Sequence, residues 1–177
     1  MQVASDNNLD WHAAQAAQTI VKNTRTIKVK DKPIEANSLD NLTTKTLGIL
    51  QENGVYAALL YLYSRGGEGE LVAKQIRRQL LRLTPLLLPS LEKEIKDKIV
   101  AEDVMAEIAL NFMTEHICKD LDILLLAKQL WEQTLIYTRY GAKAWDAEEE
   151  ARKAKEREEA EKAQKAQEEA EKEKTQT

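Results

Sequence analysis

Six glycines and three prolines are all the strong backbone breakers that this 177-residue chain contains. That scarcity narrows the choice of fold more than any other feature. A β-sandwich or a doubly wound α/β domain of this size needs a tight turn every eight to twelve residues or so, and turns draw on Gly and Pro. Ala, Leu, Glu, Lys and Gln, the strong helix formers, fill the positions instead. The expected fold is therefore all-α, a compact bundle of five to seven helices with a long charged C-terminal helical extension.

Apolar periodicity places the helices. Asp10 is positioned to cap a first helix from Trp11 to about Asn23. Residues 24–37, β-branched and basic around Pro33, read as an ordered loop or a short extended piece. Ser38-Leu39-Asp40 then opens a helix with Leu39, Leu42, Thr46, Leu47 and Leu50 on one face. Asn53-Gly54 marks a stop or a kink, because glycine accepts backbone conformations closed to other residues. Val55 to Tyr63 reads as a short helix apolar nearly all round, hence central. Gly66-Gly67-Glu68-Gly69 reads as a mobile connector. Further helices are expected over Glu70–Leu87, Ser90–Lys98, Ala101–Lys119 and from about Asp120 to Trp145. The divisions are 1–37, 38–146 and 147–177, with 1–146 as one globular domain.

Charge is unevenly placed. The tail from Asp146 has 12 acidic and 8 basic residues, which accounts for the whole formal charge of −4 and leaves 18 of each in the body. Its acids precede its bases by four residues, as in Glu148/Arg152, Glu149/Lys153, Glu158/Lys162, Glu161/Lys165 and Glu168/Lys172, the order that supports an isolated helix. With no Leu, Ile or Val, the tail has no coiled-coil seam. It reads as a solvated helical extension, the alternative being disorder.

No catalytic set emerges. The two histidines, His12 and His116, and the one cysteine, Cys118, do not make the three or four coherently spaced ligands of a zinc site. The glycine loop lacks the Gly-Lys-Ser/Thr of a phosphate-binding loop. The chain is expected to be no enzyme, with no catalytic residue, no metal and no cofactor. No apolar run approaches the ~20 residues of a membrane span, and no secretory signal opens the chain, so a cytoplasmic protein is expected.

The positive signal is basic. Lys74, Arg77, Arg78 and Arg82 fall opposite the stripe of Val72, Ala73, Ile76, Leu80, Leu83 and Leu87, in a row suited to phosphates. Lys128, Arg139 and Lys143 make a weaker second set, with Tyr137 and Tyr140 near enough to stack on bases. An ordinary solvated helix face is the competing explanation of both.

Two segments resemble a known family. Leu47-Gly48-Ile49-Leu50-Gln51-Glu52-Asn53-Gly54-Val55-Tyr56-Ala57-Ala58-Leu59-Leu60-Tyr61-Leu62 is similar to the helix–kink–helix of the small α-helical (fifth) subunit of the type III-B CRISPR effector, the Cmr complex. Val55 stands where that family usually has Leu. Leu124 through Trp131 to Arg139-Tyr140-Gly141-Ala142-Lys143-Ala144 resembles its closing helix. The resemblance spans about Ser38 to Asp146, and the charged tail exceeds what the family needs. It implies a non-catalytic subunit that stacks in copies along the groove holding a guide RNA–target RNA duplex. The implied partners are other effector subunits, copies of itself and both RNAs, with no small-molecule substrate. The alternatives are the small subunit of the type III-A effector and a helical protein–protein adaptor unrelated to RNA.

Overall fold

The computed structural model describes residues 8–91 and 104–175, with side chains through residue 164. Five α-helices occur among these residues: α1 (Leu9–Arg25), α2 (Ala36–Tyr63), α3 (Glu68–Arg82), α4 (Ala106–Phe112) and α5 (Leu121–Thr175). Between α1 and α2 lies a two-stranded antiparallel hairpin, β1 (Lys28–Val29) and β2 (Lys32–Pro33). Short 3-10 turns at Thr84–Leu86 and Pro89–Leu91 follow α3, as expected where prolines end a helix. Beyond Leu91, most of the expected Ser90–Lys98 helix lies outside the described residues. The protein forms two units, Met1–Lys143 and Ala144–Thr177.

In the first unit, α1 and α2 both pack against α3. The core collects Ile20, Leu39, Leu50, Leu59, Leu62, Ile76 and Leu80, all fully buried, with Trp131 from α5. Each such side chain contributes roughly 1.5–3 kcal/mol by leaving water.

Local chemistry sets the helix ends, in places other than expected. Asn8, not Asp10, caps α1, its side chain accepting from the Trp11 N–H at 3.1 Å. Helix α2 starts two residues before Ser38, without a side-chain cap. The glycine connector shrinks to a corner: Gly67 adopts φ 59°, and Glu68 and Gly69 already belong to α3. Asp120 does cap α5, accepting from the N–H groups of Asp122 and Ile123.

The kink in α2 is at Gly54, with φ 85° and ψ −177°. Only glycine holds that conformation cheaply. The short helix beyond it is not enclosed on all sides, since Leu60 is 47% and Tyr56 38% exposed. The Ala101–Lys119 region also departs from a plain helix. After α4 the backbone takes a π-turn over Met113–Ile117, closed by the Cys118 N–H on the Met113 carbonyl at 2.8 Å. The wider turn brings Phe112, Met113 and Ile117 into the core while Ile108 stays 40% exposed. At the start of α5, Leu121, Leu125 and Leu126 are exposed; its buried face begins with Ala127, Leu130 and Trp131.

In the second unit the helix continues, and nearly every side chain from Asp146 to residue 164 is exposed. Arg152 pairs with Glu149 at 2.7 Å and Glu156 at 3.6 Å, and Lys162 pairs with Glu158 at 2.6 Å. The expected Lys165 and Lys172 pairs lie where side chains are outside the described set. No helix among the described residues is long and apolar enough to cross a membrane.

Candidate nucleic-acid interface

The basic row on α3 is not an open face. Because two helices pack on α3, its buried arc is wide, taking in Val72, Ala73, Ile76, Arg77, Gln79, Leu80 and Leu81. Arg77 is 6% exposed. Its two terminal nitrogens donate to both oxygens of Glu70, at 2.9 and 2.6 Å, and its guanidinium lies 4.6 Å from the centre of the Tyr63 ring. Tyr63 in turn donates to the Val104 carbonyl at 3.0 Å. This is an internal staple joining α2, α3 and the segment entering α4. The expectation that Arg77 faces solvent is corrected: at ~100° per residue it stands one step from Ile76, inside the buried arc. Lys74 and Arg78 are half-buried and Arg82 exposed, and each of the three already holds an interaction within the chain.

The second set is similarly occupied, in part. Lys128 donates to the Gln51 carbonyl at 3.1 Å. Gln51 lies in the last turn before the Gly54 break, where helix carbonyls lose their regular donors. Glu132 beside it accepts from the Gln51 amide at 2.6 Å. Arg139 faces Asp40 at 3.5 Å. Lys143 is exposed, with no salt-bridge partner among the described residues. Tyr137 donates to Asp10 Oδ1 at 2.5 Å, a bond to a carboxylate that pushes its phenol pKa up. Tyr140 is 63% exposed. Both tyrosines border an apolar groove with Ala17 and Val21 of α1, where Gly141 allows the close approach: a Cβ there would stand 2.9 Å from a Val21 methyl.

The fold gathers cations at a place that no helical periodicity marks. A cleft of about 760 Å³ opens beneath the hairpin. Lys30 and Lys32 come from the hairpin, Lys45 from α2 and Arg65 from the α2–α3 connection, against two carboxylates, Glu35 and Glu68. The three lysines are exposed, and no described residue pairs with them. Lys30 and Asp31 take φ 49° and 67°, both positive, as a two-residue type I′ hairpin turn demands. That turn brings Lys30 to the cleft rim and sets Val29 opposite Lys32. Tyr61 forms a wall, with the Arg65 guanidinium 4.1 Å over its ring and tied to Ser64 Oγ at 3.0 Å. Four cations, one of them over an aromatic ring, form the kind of surface that suits a phosphate chain and its bases. A signal existed, the Lys28-Val29-Lys30-Asp31-Lys32 alternation, but nothing in it showed that Lys45 and Arg65 would close the ring.

His12 packs against Trp11 and His116 against Phe112, with ring centres 4.9 and 5.0 Å apart. No group of three metal-ligating side chains occurs among the described residues. Comparison with protein-family models, with curated proteins and with solved structures gave no match.

Proposed function

We propose that the chain is a non-catalytic, RNA-contacting small subunit of a type III-B CRISPR effector, acting in the cytoplasm beside other effector subunits and copies of itself. The observation that carries the RNA contact is the hairpin cleft, lined by Lys30, Lys32, Lys45 and Arg65, with Arg65 over the Tyr61 ring. The family assignment rests on the resemblance of the kinked Leu47–Leu62 stretch and the Leu124–Ala144 helix.

A body with equal numbers of acids and bases attracts polyanions only where its cations are gathered. One cleft then gives weak binding per copy, and copies aligned on one strand add by effective concentration. Exposed Leu121 and Leu125, one turn apart on α5, and exposed Met105 before α4 supply apolar surface for protein contacts.

The test is target capture by the assembled effector carrying Lys30→Glu, Lys32→Glu and Lys45→Glu together. All three side chains are exposed, so the variant folds. RNA capture is expected to fall at least about tenfold, and log affinity against log salt for the unaltered chain on single-stranded RNA is expected to slope about −2 to −3, for three or four phosphates. Undiminished capture, or failure to co-purify with effector subunits, would reject the proposal. Co-purification with one protein and no RNA dependence would favour the adaptor reading, which the exposed leucines also suit.

A further inference from the structure

We infer that the hairpin cleft receives one unpaired nucleotide, its base against the Arg65–Tyr61 wall and its phosphate on the lysines. This rests on the RNA reading above and narrows it from a polyanion surface to a seat for a single base.

The volume is the first argument. About 760 Å³ lies within the range of clefts that engulf a small molecule, roughly 300–1,000 Å³. A base-paired duplex is too broad to enter and would meet only the rim lysines. A splayed-out nucleotide fits with room for its sugar.

The wall is the second. The Arg65 guanidinium lies 4.1 Å over the Tyr61 ring centre, with one nitrogen donating to Ser64 Oγ at 3.0 Å. A guanidinium placed over a ring offers its plane as a stacking platform for a base. The Arg65 Nε is shut off from solvent with no hydrogen-bond partner among the described residues. A buried unsatisfied donor on a charged group is costly, which leaves Arg65 with hydrogen-bonding capacity that its own chain does not use.

The polar lining is the third. Ser38 and Asn41, both exposed, contribute to it. The Asn41 amide already donates to Asn37 Oδ1 at 3.0 Å, which fixes the side chain and leaves its oxygen free to accept from a base edge. Lys30, Lys32 and Lys45 sit within the same cleft to take the phosphate, while Glu35 and Glu68 keep the charge excess modest. Stacking, an edge contact and a phosphate contact thus converge on one space.

The nucleotide has two possible sources, an RNA strand or a free mononucleotide, and the probes separate them. The full-length chain is titrated with an eight-residue single-stranded RNA, its duplex, the same backbone without bases, and AMP, read by fluorescence anisotropy with AMP as competitor. The intact strand is expected to bind about tenfold tighter than the duplex or the abasic strand, the usual size of a base–aromatic stacking effect. Arg65→Lys, which keeps the charge and loses the plane, is expected to erase that difference. The Lys30/Lys32/Lys45→Glu variant is expected to weaken every strand. Equal binding of intact and abasic strands, or an Arg65→Lys variant that still prefers bases, overturns the inference while the RNA reading stands. Strand binding indifferent to the lysine variant overturns both. AMP that displaces the strand at concentrations below the strand's own Kd overturns the strand as the source.

Discussion

Arg77 illustrates how a charge becomes structural at the residue scale. With its fork on Glu70 and its plane on Tyr63, it is worth more to the fold than to any ligand. Removing one partner of a buried pair leaves the other unneutralised, so Arg77→Ala is expected to cost on the order of 3 kcal/mol, the low end of the range for buried pairs because Glu70 keeps some access to water. Replacing both, as Arg77→Met with Glu70→Leu, is expected to cost clearly less. Urea unfolding of the two variants decides it, and equal losses would show that the pair is not acting as a unit. Gly54 makes a different prediction. A Cβ there meets nothing within 4 Å, so Gly54→Ala is expected to cost about 1–3 kcal/mol through backbone strain alone; a neutral effect would mean that the kink relaxes freely. Cys118 is exposed as a residue, yet burial around its sulfur pushes the thiol pKa up. Since the folded value is the higher one, the thiol favours the fold below the unfolded pKa and loses that contribution as pH rises past it. Alkylation at pH 8 is accordingly expected to run slower in the folded chain than in urea, the gap closing at higher pH.

At the scale of elements, helix existence was readable and local detail less so. The stripes Leu39/Leu42/Leu47/Leu50 and Val72/Ile76/Leu80 are buried as their spacing requires, because period 3.6 follows directly from helix geometry. The Asn53-Gly54 signal is a kink, since apolar residues resume at once on its far side. Ends were harder: Asn8 and Asp10 are both competent caps, and tertiary packing chooses. The hairpin was legible only as an extended piece, because Lys30-Asp31 occupies a turn that usually takes Asn-Gly. Arg77 was misplaced because opposite faces were judged from one apolar stripe, whereas α3 has neighbours on two sides. The cleft depends on Lys45 and Arg65, 20 residues apart in number, meeting a hairpin that no periodicity announces. Against that, the tail followed its composition. Deleting Glu148–Thr177 removes only polar and small side chains, nearly all of them exposed as far as they are described, so the melting temperature is expected to move by no more than about 2 °C. A drop of about 10 °C in a calorimetric scan would show that the tail supports the fold, since 1 kcal/mol is worth only a few degrees in a chain of this size.

For the whole molecule, the hairpin cleft is the proposed polyanion contact, while the α3 row is engaged within the fold. Two charge-reversal variants separate these placements, one in the cleft (Lys30→Glu, Lys32→Glu, Lys45→Glu) and one on α3 (Lys74→Glu, Arg82→Glu). Their affinities for one single-stranded RNA are measured side by side at fixed salt, with circular dichroism to verify that both fold. The cleft placement predicts a loss of at least about tenfold for the cleft variant, three lost phosphate contacts being ample for that, and less than about twofold for the α3 variant. The reverse order would contradict it.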